Sequence, residues 1–231
     1  MSTVLNEPIS CTGCGRTDTG VHSKEFYAHF DTAQAKIDNN ILFKLNSCLP
    51  YDIAVHKIFK VPNDAHARFD AVSRSYTYYI NRKKAPFLKE YSHNLYIDLD
   101  IKKMQSAADL LLNFKDFSCF SKSGSQVKTK ECHITAAKWE KLSDQLIFTI
   151  TADRFLRGMV RAVVGTLIEI GKGKMSLLQF RKIIRSGDRR KAGPAVPACG
   201  LFLTGVEYPV RKLNKPATHC VIYGISFWKG V

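Results

Sequence analysis

Long apolar runs are missing from this 231-residue chain. The longest candidate, residues 220–228, falls far short of the ~20 residues that a membrane helix needs, so a soluble protein is expected. No secretory leader is expected either, because Met1-Ser2-Thr3-Val4-Leu5 runs directly into polar sequence. Cysteine is present but unframed. Seven is an odd number, and Cys48, Cys119 and Cys199 sit in apolar surroundings rather than at regular spacings. That pattern excludes a disulfide scaffold and fits reduced thiols in a cytoplasm.

The motifs of several common chemistries are also lacking. No Gly-Lys-Ser/Thr follows the glycine-rich stretch near the start, so a phosphate-binding P-loop is excluded. A zinc deaminase needs His-x-Glu with Pro-Cys-x-x-Cys, yet His22 is followed by Ser23 and Lys24, and no proline immediately precedes Cys11. Cys11-x-x-Cys14 and Cys132-His133 offer metal-binding atoms, but an adjacent pair makes poor tetrahedral spacing. A metal is therefore not expected.

Acid is scarce. Against 35 Lys and Arg stand 20 Asp and Glu, a net charge of +15. Such a balance is costly by self-repulsion unless it meets a polyanion. Nucleic acid fits better than an acidic membrane surface, since no basic amphipathic helix with an aromatic apolar face is visible. With 45% hydrophobic and 24% charged residues, the remaining composition is that of an ordinary globular protein.

Residues 9–16 read as a strand feeding a glycine loop, and 25–30 as a second strand. Asp31 caps an expected helix to about Cys48, with Ile37, Ile41, Leu42 and Leu45 at helical spacing. Strands follow over 52–61 and 71–80, then a helix over 99–112 and a polar, lysine-rich loop over 121–130. A hairpin about Ser143-Asp144 joins strands at 134–139 and 146–152. The most regular helix covers 155–170 and stops at Gly171; Ser176 caps a shorter basic one to Arg185, and 201–208 close as a strand. Without regular βαβ alternation the class is α+β with a mostly antiparallel sheet flanked by helices. The expected division is an N-terminal half over 1–98, a C-terminal half over 99–210 and an unplaced tail over 211–231.

Chemistry concentrates in Gly13-Cys14-Gly15-Arg16-Thr17-Asp18-Thr19-Gly20-Val21-His22, where a carboxylate stands beside an arginine in a glycine-punctuated loop. Asp18 there suits a turn hydrogen bond, an ion-pair strut or a nucleophile. A working carboxylate nucleophile must stay ionised, which in a buried place requires a resident cation. Arg161, on the apolar helix among Val160, Ala162, Val163 and Val164, is the best candidate, with a snorkelling surface arginine as the alternative. Tyr76, Tyr78 and Tyr79 serve either as strand packing or as a face on which a base stacks. Alternation sets Tyr76 and Tyr78 on one side of the strand and Tyr79 on the other.

Taken together, Gly15-Arg16-Thr17-Asp18-Thr19-Gly20-Val21-His22 resembles the signature of the tRNA pseudouridine synthase A (TruA) family. Three further blocks agree in order. His66-Ala67-Arg68-Phe69-Asp70-Ala71 leads into Arg74-x-Tyr76-x-Tyr78; Phe155-Leu156-Arg157-Gly158-Met159-Val160-Arg161 resembles the family's helix motif; Gly200-Leu201-Phe202-Leu203 resembles its closing strand. The resemblance spans residues 11–210. It implies a fold of two related halves with the active-site cleft between them, and a strand and helix ahead of the signature that this chain is expected to lack.

By the same resemblance Asp18 is the catalytic nucleophile, Arg161 its ion-pair partner and Tyr76 the ring that stacks on the target uracil. Leu201 walls the pocket, Arg16 contacts RNA near the flipped nucleotide, and Arg74 and Arg157 contact RNA as well. The implied substrate is uridine at positions 38, 39 and 40 of the tRNA anticodon stem-loop, bound by a homodimer without a cofactor. Attack of Asp18 on C6, attack on C1′, and removal of the 2′ proton all fit the residue types. A non-catalytic RNA-binding protein of the same fold is the alternative.

Overall fold

The computed structural model describes residues 1–33, 40–122, 124 and 129–209, and the backbone alone of 219–227. In chain order the helices are α1 (Ser2–Leu5), α2 (Ile41–Cys48), α3 (Ile101–Leu111), α4 (Met159–Gly171) and α5 (Leu177–Ser186). The strands are β1 (Cys11–Gly13), β2 (His22–Ser23), β3 (Ala28–Phe30), β4 (Ile53–Val61), β5 (Ser73–Asn81) and β6 (His93–Asn94), followed by β7 (Ile134–Leu142), β8 (Gln145–Ala152), β9 (Leu201–Glu207) and β10 (His219–Phe227). The class is α+β, as the element pattern predicts.

Two compact units divide the chain. One comprises Met1–Arg74 with Leu203–Val231, the other Ser75–Phe202. The expected halves, 1–98 and 99–210, follow chain order; these units do not. The reason is β10, which lies in the stretch that sequence reading left unplaced and which returns the chain to the unit where it began. It pairs antiparallel with β4 from His219↔Val61 to Phe227↔Ile53, and on its other side with β3 through Cys220↔Phe30. β2 joins that side at Phe227↔Ser23, and β1 lies outside β3 through Cys11↔Phe30.

In the first unit Phe30, Ile41, Leu45 and Val55 form a buried cluster with Leu5 of α1. Asn46 fastens α2 to β4: its amide accepts from the Val55 N–H at 2.8 Å and donates to the Val55 carbonyl at 2.9 Å. The helix expected from Asp31 differs here. Residues 34–39 lie outside the described set, 31–33 are not helical, and α2 opens at Ile41 after Asn40. Glu7 holds the preceding stretch, accepting from the Thr32 hydroxyl and from the Ala33 N–H.

In the second unit β7 and β8 form the expected hairpin, with Ser143 at φ 50° in its turn. β5 pairs parallel with β6. Gln105 repeats the Asn46 device, accepting from the Trp139 N–H at 2.7 Å and donating to the Ala137 carbonyl at 3.1 Å, so that α3 is tied to β7. α5 starts at a capping box in which Ser176 and Gln179 bond each other's backbone N–H. The expected loop over 121–130 falls partly on residues outside the described set.

α4 is shorter at its start and longer at its end than its apolar periodicity suggests. Gly158 takes a left-handed φ of +69°, which an ongoing helix cannot contain, so Phe155, Leu156 and Arg157 precede the helix rather than belong to it. Gly171 is the last helical residue, and the reversal comes at Gly173, φ +74°. There the Gly173 N–H bonds the Ile170 carbonyl and the Lys174 N–H the Glu169 carbonyl, a Schellman closure.

Candidate active site

The loop carrying Asp18 leaves β1 and re-enters the sheet at β2. Gly13 at its root packs tightly under Phe26, since a Cβ there would lie 2.7 Å from the ring. Cys14 follows, buried, its N–H donating to the Tyr27 carbonyl at 2.8 Å. Burial pushes its thiol above the ordinary range, so it is a packed side chain rather than a reactive one. Arg16 is exposed and Asp18 half-buried. The Asp18 carbonyl accepts from the Val21 N–H at 3.1 Å, closing a turn in which Gly20 supplies a φ of +81°.

Arg74 braces this loop from outside. Its Nη2 donates to the Cys14 carbonyl at 3.2 Å and to the Arg68 carbonyl, while Nη1 donates to the Ala71 carbonyl at 3.1 Å. One guanidinium, expected to contact RNA, thus joins the glycine loop to the turn at 66–71. That turn is itself densely bonded. His66 Nδ1 accepts from the N–H groups of Arg68 and Phe69, Asp70 accepts from the His66 N–H, and His29 Nδ1 accepts from the Ala67 N–H. Tyr208 donates its hydroxyl to the Ala67 carbonyl and packs edge-on against Tyr27.

The second unit holds the other expected residues. Tyr76 is half-buried, and its ring meets Phe155 edge-on, centroids 5.2 Å apart. Tyr78 is fully buried and donates its hydroxyl to the Pro197 carbonyl at 3.0 Å; burial pushes the phenol well above its usual pKa. Tyr79 turns to the other face of β5, edge-on to Phe202. Among the three, Tyr78 therefore packs the core, whereas Tyr76 keeps accessible surface. Arg157 is exposed just ahead of α4, its carbonyl accepting from the Lys122 N–H at 2.9 Å.

Arg161 lies in the first turn of α4, half-buried. Its Nε donates to the Val196 carbonyl at 2.7 Å, and its own carbonyl accepts from the Val196 N–H at 3.2 Å. Side chain and backbone together clamp one residue of a strap, 192–200, that sequence reading passed over. The strap lies directly on the helix. A Cβ on Gly165 would fall 1.7 Å from the Pro194 carbonyl oxygen, and the Gly193 N–H donates to the Thr166 hydroxyl at 2.9 Å. Arg189 holds the strap's near end by the Gly193 carbonyl at 3.0 Å. The strap delivers Gly200, flush against the Tyr78 ring, and then buried Leu201 at the start of β9. Its Ala, Pro and Gly content was the signal available, since small residues permit close backbone contact.

Among the described residues no group of three His, Cys, Asp or Glu side chains is arranged to hold a metal ion. Cys132, one of the residues weighed as a ligand, is buried with its sulfur 3.9 Å from Met159 Sδ, and its thiol is pushed up to about 11, chiefly by burial. No helix among them is long and apolar enough to cross a membrane.

A family model described as tRNA pseudouridine synthase matches residues 107–209. The tRNA pseudouridine synthase A of Bacteroides thetaiotaomicron is 47% identical over 212 residues, covering 90% of this chain and 79% of that protein. The Parabacteroides distasonis protein of the same name is 48% identical over 210 residues, covering 90% and 83%. That of Clostridium acetobutylicum is 38% identical over 211 residues, covering 89% and 85%. This chain belongs to the tRNA pseudouridine synthase A family. Within that family its Asp18 loop, Tyr76, Arg161 and Leu201 stand on four separate elements, each fastened by contacts of its own.

Proposed function

We propose that this chain isomerises uridine to pseudouridine at positions 38, 39 and 40 of the tRNA anticodon stem-loop. The uracil exchanges its N1–C1′ bond for a C5–C1′ bond; the hydrogen on C5 leaves to solvent and N1 takes up a proton. Nothing is oxidised or reduced, and no cofactor is called for. Asp18 is the nucleophile, and the Arg161 guanidinium keeps its carboxylate charged where water is excluded. Because the base must leave its stack, Tyr76 replaces the lost stacking and Leu201 fills the pocket wall. Arg16 and Arg157 grip phosphates beside the flipped nucleotide, contributing affinity that salt weakens. Arg74 serves the RNA through the loop it holds. The working form is a homodimer in the cytoplasm, with tRNA lying across both subunits.

The reading is carried by the 47% identity, across nine-tenths of the chain, to a protein named tRNA pseudouridine synthase A. Tritium on uridine C5 of a tRNA transcript tests it: the chain should release the label to water, and Asp18→Asn should lower that release at least about 10³-fold, as expected for loss of a nucleophile. Full turnover by Asp18→Asn would refute the assignment, and salt-sensitive binding without any release would mark a non-catalytic RNA-binding protein.

A further inference from the structure

Phe69 stands out from the exposed aromatic residues because of where it is fixed. The residue is 75% exposed, although a phenylalanine gains by burial and loses nothing polar. The turn that carries it is among the most densely hydrogen-bonded segments of the first unit. His66 caps the Phe69 N–H at 3.2 Å and packs its imidazole on the ring, centroids 4.3 Å apart and planes 33° from parallel. The Arg68 guanidinium carbon lies 5.7 Å from the ring centroid, within cation–π range. Among the described residues that guanidinium has no carboxylate partner. Bonds to His66 within the turn, and from the turn to His29, Tyr208 and Arg74, hold the group in place.

An aromatic face held out in water beside an unneutralised guanidinium matches the chemistry of an unpaired nucleotide, with a flat base for the ring and a phosphate for the cation. Placement agrees. Arg74 Nη2 bonds both the Arg68 carbonyl and the Cys14 carbonyl, and Asp18 lies four residues beyond Cys14, at most about 14 Å of extended chain. We propose that Arg68 and Phe69 form a stacking platform for an unpaired nucleotide of the RNA substrate, a few positions along the strand from the base that reaches Asp18. The proposal rests on the tRNA reading above and adds a second base-binding position to it.

The test uses the full chain and a synthetic anticodon stem-loop RNA. Phe69→Ala should weaken equilibrium binding at least about 5-fold, the lower end of what loss of one base stack costs. The change should fall on KM rather than kcat, and Phe69→Tyr should restore it. Phe69→Trp gives a direct signal, since its fluorescence should be quenched when RNA is added. Unchanged affinity in Phe69→Ala with an unquenched Phe69→Trp overturns the proposal. So does a shift in the sedimentation of Phe69→Ala at unchanged RNA affinity, which would make the ring a contact between protein copies. Stem-loop binding by the wild type with no pseudouridine formed, alongside quenching of Phe69→Trp by the same RNA, would sink the catalytic reading and leave the platform standing.

Discussion

Asp18 sits in a stretch with almost no regular structure, whereas Arg161 sits in the most apolar helix of the chain, and the two are held by different forces. The Asp18 loop has no ladder of its own, so its position depends on polar ties to carbonyls: Arg74 on Cys14, Cys14 on Tyr27, Asp18 on Val21. Each is worth about 1 kcal/mol net and each is directional. α4 instead is fixed by close packing, with every residue of the helix but Arg161 and Glu169 buried and the Pro194 backbone pressed on Gly165. A loop of the first kind can adjust to a bound nucleotide by exchanging hydrogen bonds. A helix of the second kind cannot move without opening a void.

The comparison can be broken most severely at Arg161. On the mechanism proposed above, in which Arg161 is the counter-charge of Asp18, Arg161→Ala should lower pseudouridine formation at least about 10²-fold, measured by tritium release. Next comes Gly165→Ala. Its methyl would collide with a backbone oxygen that cannot rotate away, so we expect a loss of about 3 kcal/mol in urea unfolding. If stability is unchanged, the strap is not packed on the helix as described. Arg74→Ala should cost about 2 kcal/mol through three carbonyls left without their donor, and should depress kcat more than KM because it displaces the Asp18 loop. Equal stability of Arg74→Ala and wild type would show that the loop has other sufficient ties. Ser176→Ala, which removes one arm of the capping box on α5, should cost only about 1 kcal/mol and leave turnover intact.

The smallest effect is a pH dependence. Burial, with Lys172 adding like charge, holds the His93 imidazole below its ordinary value of about 6.5. The unfolded chain therefore takes the proton first. Stability from this group is complete above about pH 6.5 and is lost as pH falls below that toward the lower folded-state value. His93→Gln should flatten this part of the stability curve, which urea melts at about pH 7.5 and about pH 5.5 would detect. An identical slope in the variant assigns the dependence to other groups.

What could be read from the sequence tracks how local the cause is. The α5 cap needs only Ser176 and Gln179, three residues apart, and the β7–β8 turn only Ser143 and Asp144; both were legible. The start of α4 was not, because Phe155 and Leu156 keep helical spacing while Gly158 breaks the backbone beneath them. β10 could not be placed, since its partners β3 and β4 lie more than a hundred residues away in the chain. Among the site residues Asp18 and Arg161 announced themselves by their charge in unusual surroundings. Arg74 entered only through the family resemblance, as an RNA contact, and its role in the loop was hidden: its partners are carbonyls, which every residue possesses and no sequence pattern marks. The strap was hidden for a related reason, as its contacts with α4 are made by backbone.

The placement of β10 has a consequence for biosynthesis. A ribosome delivers the whole of Ser75–Phe202 before it delivers His219, so the continuous unit can fold while the other still waits. During that interval β3 and β4 lack the strand that should sit between them, and their inner edges stay open to unwanted pairing. The nascent first unit thus stays exposed to aggregation until His219–Phe227 has emerged, and that strand acts as the bolt that closes the first-made part of the molecule.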